Sequence, residues 1–220
     1  MSGKVDYKTV YLFIPNLIDY LRILTLFAAF FFAKSSPVFF LISYFLSFSL
    51  DGLDGMAARH FKQCSKFGTV IDMVIDRVTT SGLLMILSNF YSDYLLFFIS
   101  MMVLDISSHW VLVQSSVLAE KYLNNKNHKD INFEFWILNF YYKSKIGFFI
   151  TCTGAEIFLL LLYLANFYSV MFTDPIYSTV LYVFMVIYFA KQVVSVVQLA
   201  NSSNLIVMCD VLKINEEKGK

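Results

Sequence analysis

Six apolar stretches, at residues 14–33, 37–57, 69–91, 94–118, 146–169 and 175–203, dominate the chain. Each is long enough to cross about 30 Å of hydrocarbon, which takes about 20 helical residues. Backbone polar groups in lipid must be satisfied inside the segment or in a closed barrel, so runs of this length predict helices. The expected fold is therefore an all-α integral membrane protein with six transmembrane helices. Composition agrees: 58% of the 220 residues are hydrophobic, against roughly 45–50% in soluble domains. The net charge of +1 provides no basic field for nucleic acid, and no nucleic-acid partner is expected.

Charge is informative by placement. Lys4, Lys8, Arg59, Lys62, Lys66, Lys121, Lys126, Lys129, Lys143, Lys145, Lys213, Lys218 and Lys220 fall in the two termini and in the second and fourth loops, whereas the opposite loops hold only Lys34. The positive-inside rule then puts both termini and the second loop in the cytosol. The first stretch carries Asp19 and Arg22 and has no small-residue cleavage site behind it, so it reads as a membrane helix and not a secretory signal. Three regions follow: an interfacial N-terminal segment, 1–13, with Tyr7, Tyr11 and Phe13 suited to headgroups; a six-helix transmembrane domain, 14–207; and a cytosolic tail, 208–220. Cys64, Cys152 and Cys209 have no ligand-like spacing and no role is assigned to them.

Between the second and third stretches lies the segment DGLDGMAARHFKQCSKFGTVIDMVID, which is D-x2-D-G-x2-A-R-x8-G-x3-D-x3-D over Asp51, Asp54, Gly55, Ala58, Arg59, Gly68, Asp72 and Asp76. Eight fixed positions match by chance about once in 10^10 starts. Asp51 and Asp54 share one helical face, as do Asp72 and Asp76. Four carboxylates gathered at a membrane boundary repel unless a cation joins them, and oxygen donors suit Mg2+ or Mn2+. Four acids favour two ions in the arrangement that clamps the attacking and leaving oxygens of a phosphoryl displacement. Gly55 and Ala58 clear bulk where a ligand approaches the helix, Arg59 suits phosphate oxygens, and Gly68 leaves room for a flat base. Taken singly, the aspartates would be solvated or paired with a helix dipole, and the small residues would permit helix packing.

Other ionisable residues lie within apolar stretches: Asp19 with Arg22, Asp105 with His109, and Glu156 with Lys191. Local ion pairing and substrate contact are equally open for each.

The eight-position pattern is the signature of the CDP-alcohol phosphatidyltransferase family, which the chain resembles over nearly its whole length apart from the loop 119–140 and the C-terminal tail. That resemblance implies a six-helix membrane enzyme, commonly a homodimer, that displaces CMP with two metal ions. It makes Asp51, Asp54, Asp72 and Asp76 metal ligands, with Asp76 also the general base. Gly55, Ala58, Arg59, Ser65, Gly68 and Asn16 are then expected to contact the CDP-lipid. The stretches IPNLIDYLRI, FGTVIDMVIDR, LDISSHW and YYKSKIG are similar to one branch, the eukaryotic phosphatidylinositol synthases. This branch implies CDP-diacylglycerol and myo-inositol as substrates, the endoplasmic reticulum as location, and a site facing the cytosol. Inositol is uncharged and its hydroxyls call for hydrogen-bonding side chains; the candidates are Asp105, His109, Tyr142, Lys143, Lys145, Glu156 and Lys191.

Two alternatives bound this reading. A sister enzyme would use the same signature with glycerol 3-phosphate, serine or phosphatidylglycerol as acceptor, or with a CDP-choline or CDP-ethanolamine donor, but the only arginines are Arg22, Arg59 and Arg77, few for a phosphorylated acceptor. A divalent-cation transporter would carry its acids across the membrane, whereas these cluster near one face.

Overall fold

The computed structural model of the protein describes residues 6–122, 138, 141, 143–168 and 173–218. Every regular element among them is helical: α1 (Tyr7–Tyr11), α2 (Ile14–Phe32), α3 (Pro37–His60), α4 (Lys66–Phe90), a 3-10 turn (Ser92–Tyr94), α5 (Leu95–Tyr122), α6 (Lys145–Phe167) and α7 (Pro175–Lys218). The six long helices occupy the six apolar stretches. They differ from expectation by three or four residues at the end of α3, the start of α4 and the end of α5, and most at the end of α7, which continues to Lys218. At 44 residues, α7 is about 66 Å long, twice the hydrocarbon thickness.

Local chemistry accounts for the helix starts. The chain's three prolines, Pro15, Pro37 and Pro175, all sit in the first turn of a long helix, where the missing N–H costs nothing. Ser36, Ser65 and Ser144 precede α3, α4 and α6, and their Oγ atoms accept from the backbone N–H of Phe39, Gly68 and Gly147 at 3.5, 3.0 and 3.1 Å. Such caps stabilise a helix by about 1 kcal/mol each.

Among the described residues, α2, α3, the segment Ser92–Tyr122, α6 and α7 are long and apolar enough to cross a membrane. Helix α4 has the length, 25 residues, but Asp72, Asp76, Arg77 and the run Thr79–Ser81 dilute its apolar character. Large apolar side chains such as Phe27, Phe31, Trp110 and Val186 are more than half exposed, as befits surfaces facing lipid.

The chain divides into two compact units, Met1–Ile86 and Leu87–Lys220. In the first, α2 and α3 form a hairpin across a four-residue connection and bury Leu26, Ala29, Phe40 and Tyr44. Gly82 of α4 lies against the ring of Phe30: a Cβ there would come within 2.1 Å of Phe30 Cζ. Gly82→Ala is thus expected to lower stability by about 1–3 kcal/mol, read as thermal unfolding in detergent, and an added Phe30→Leu change should recover part of the loss. An unchanged melting temperature in the single variant would show that the ring swings clear.

In the second unit, α7 packs against both α5 and α6. Phe158, Leu159, Tyr163 and Tyr188 fill its interior, and the Tyr91 hydroxyl donates to the Leu162 carbonyl at 2.8 Å. Gly154 allows close approach, since a Cβ there would meet Ile187 Cγ2 at 2.8 Å, the small-residue contact typical of membrane helices.

Candidate active site

The two aspartate pairs converge because the α3–α4 connection is itself well specified. Helix α3 ends in a Schellman turn: Gln63 N–H donates to Ala58 O at 2.9 Å and Lys62 N–H to Arg59 O at 3.4 Å. Lys62 holds the left-handed position, with φ at 54°, that glycine usually takes. The Ser65 cap then opens α4 three residues on. Gln63 Oε1 also accepts from Ile14 N–H at 2.8 Å, which fastens this loop to the start of α2.

The four motif aspartates gather around one guanidinium. Arg22 Nη1 lies 2.8 Å from Asp54 Oδ2 and 2.6 Å from Asp72 Oδ1, and Nη2 lies 2.8 Å from Asp76 Oδ1 and also bonds Asp51 Oδ1. Asp19, on the preceding turn of α2, joins them at 3.2 Å from Nη1. The side chains of Arg22 and Asp19 are 3% and 2% exposed, while those of Asp51, Asp72 and Asp76 are about 40% exposed. The cluster is therefore anchored below and accessible above.

Carboxylate oxygens of Asp19, Asp54 and Asp72 lie within 4.8 Å of one another, and so do those of Asp51, Asp72 and Asp76. Two all-oxygen triads with Asp72 common to both match the donor set that hard divalent cations take. The residues present thus fit metal binding. Asp19 belongs to one triad although the motif does not contain it. Its sequence signal was a carboxylate inside an apolar stretch, which pointed equally to a local pair with Arg22; that pair exists too.

Beside the acids opens a cavity of about 450 Å3 lined by Asn16, Asp19, Asp54, Gly55, Ala58, Arg59, Ser65, Gly68 and Asp72, among others. All six residues expected to touch a CDP-lipid therefore line one space. The Arg59 guanidinium lies over Gly55, whose added Cβ would stand 3.5 Å from Nη1. Asn16 is fully buried, its Nδ2 donating to Val10 O while Oδ1 has no hydrogen-bond partner among the described residues. A Cβ on Gly68 would come within 2.9 Å of that Oδ1, so glycine keeps this end of the cavity open.

The residues expected to hold inositol lie apart in sequence, in the second unit. Asp105 is 1% exposed and accepts from Lys191 Nζ, so Lys191 of α7 is tied to α5, where the sequence had suggested Glu156 of α6 as its partner. His109 Nδ1 sits 3.8 Å from Asp105 Oδ1 and 2.8 Å from the Asp105 carbonyl. Next to them, Gln198 Nε2 donates to Ser108 O at 3.1 Å; the sequence reading passed over both residues because a neutral amide and a hydroxyl carry no motif. Lys143 is exposed and Glu156 half-buried, Lys145 opens α6, and Tyr142 lies outside the described residues.

Comparison with known proteins agrees with the geometry. The chain is 35% identical over 216 residues to CDP-diacylglycerol–inositol 3-phosphatidyltransferase 1 of Arabidopsis thaliana, covering 93% of each chain. It is 34% identical over 211 residues to the Candida albicans CDP-diacylglycerol–inositol 3-phosphatidyltransferase, covering 94% of this chain and 87% of that one. With the Homo sapiens protein of the same name it shares 39% identity over 161 residues, 73% and 74% of the two chains. No solved structure matches it. The profile of the CDP-alcohol phosphatidyltransferases matches residues 12–211, from just before α2 to the last turns of α7, and the chain belongs to that family.

Proposed function

We propose that the chain transfers the phosphatidyl group of CDP-diacylglycerol to myo-inositol and releases CMP. The observation that carries this reading is the cavity in which an arginine, two small residues and a carboxylate cluster meet beside apolar helices, together with relatives named for that transfer. Asp51, Asp54, Asp72 and Asp76 hold two Mg2+ or Mn2+ ions, with Asp19 adjoining. Bound there, such ions neutralise diphosphate oxygens and the charge on departing CMP.

The remaining work falls to side chains. Arg59 binds and orients the diphosphate, and Gly55 and Ala58 let it approach the helix. Gly68 and Asn16 receive the nucleotide end. Asp76 takes the proton of an inositol hydroxyl as that oxygen bonds to the phosphorus carrying diacylglycerol and the bond from phosphorus to the CMP oxygen breaks. Asp105, His109, Tyr142, Lys143, Lys145, Glu156 and Lys191 contribute polar groups for the acceptor.

Six spans, with α4 as the least apolar, put both termini and the α3–α4 loop in the cytosol. There a bilayer-anchored donor meets a water-soluble acceptor, in the endoplasmic reticulum membrane and as a homodimer. The test is CMP release from CDP-diacylglycerol by the full chain in detergent with Mg2+ or Mn2+. Release is expected with myo-inositol only; release with serine, glycerol 3-phosphate or phosphatidylglycerol instead would move the chain to a sister activity.

A further inference from the structure

Arg22 has no task in the transfer chemistry proposed above. Its guanidinium is bonded to five carboxylates, and every member of both oxygen triads is among its partners. A planar, delocalised guanidinium suits several acceptors at once. Five carboxylates and one guanidinium leave a large negative excess, and two divalent ions bring the group to neutrality. The charge balance therefore has room for both kinds of cation, and both draw on the same carboxylates.

The backbone and the tip of Arg22 are held by different partners. Arg22 O accepts from Thr25 Oγ1 at 2.9 Å and from Ser47 Oγ at 3.2 Å, which pins the backbone of this residue. Among the described residues the polar contacts of this buried side chain are made at its tip, and Nε has no hydrogen-bond partner. Loss of the tip contacts would leave these backbone bonds in place.

We propose that Arg22 is an internal counter-cation of the acidic cluster, which divalent ions displace from the carboxylates as they bind. This rests on the metal reading given under Proposed function. Arg22 and the metal oppose each other's hold on the aspartates, and such coupling is reciprocal. Arg22 then keeps the carboxylates assembled when metal is scarce and sets the ion concentration at which the site loads.

The test uses full-length wild type, Arg22→Gln and Arg22→Lys in detergent, with Mn2+ titrated by the loss of its free electron paramagnetic resonance signal and thermal unfolding followed in chelator and in Mn2+. Arg22→Gln is expected to bind Mn2+ more tightly, by about 5- to 150-fold. It should melt lower than wild type in chelator and gain more from Mn2+. Arg22→Lys, which keeps the charge and loses the fork, should fall between. Equal or weaker Mn2+ binding by Arg22→Gln overturns the proposal and makes Arg22 a support for ligand geometry. Should that variant not fold even with Mn2+, equal or weaker binding by Arg22→Lys overturns it in the same way. A wild type that binds no Mn2+ at all removes the metal reading instead, a distinct result.

Discussion

Asp76→Asn is expected to reduce inositol-dependent CMP release by about 10^2- to 10^4-fold, the range that a positioned general base contributes. Asparagine is nearly the same size and still offers an oxygen to Arg22 Nη2, now 2.8 Å from Asp76 Oδ1, so the fold should survive the change. The substitution removes the group proposed to take the acceptor's proton. If Asp76 acts as base, the loss falls on kcat and persists at saturating metal, whereas KM for inositol changes little. Loss that high Mn2+ reverses would make Asp76 a ligand only. Near-normal turnover would remove it from the chemistry altogether.

Lys191→Met has the largest expected effect on stability. Asp105 is 1% exposed and its carboxylate bonds the Lys191 ammonium across α5 and α7. Removing one partner of a buried pair costs about 3–5 kcal/mol, or about 6–20 °C in melting temperature for a chain of this size. The double variant Asp105→Leu/Lys191→Met removes both charges together and should melt close to wild type, because an apolar replacement avoids the desolvation of two ions. Kinetics then separate the two roles open to this pair. A double variant that melts normally but shows a raised KM for inositol assigns the pair to acceptor binding; a normal KM leaves it structural.

Short-range physics made much of this protein legible before any coordinates. Apolar run length predicts the six long helices, because a helix in lipid satisfies its backbone within its own segment. The signature's spacing puts each aspartate pair on one face. Helix α4 begins three residues before its apolar stretch because the Ser65 cap makes Lys66, Phe67 and Gly68 its first turn. Helix α7 outruns its apolar stretch because a helix needs only its own hydrogen bonds, and the polar residues after 203 do not break them.

Partnership was another matter. Sequence spacing offered Asp19 as the neighbour of Arg22, and Glu156 as a partner for Lys191. In the folded chain Arg22 also bonds acids 32, 50 and 54 residues away, and Lys191 bonds Asp105, 86 residues away. The sequence by itself determined the kinds of groups, their helical phase and the family to which they belong, all of which are local or additive properties. Only tertiary structure decided which charge answers which, since a buried ion chooses its partner by distance in space after the helices have packed.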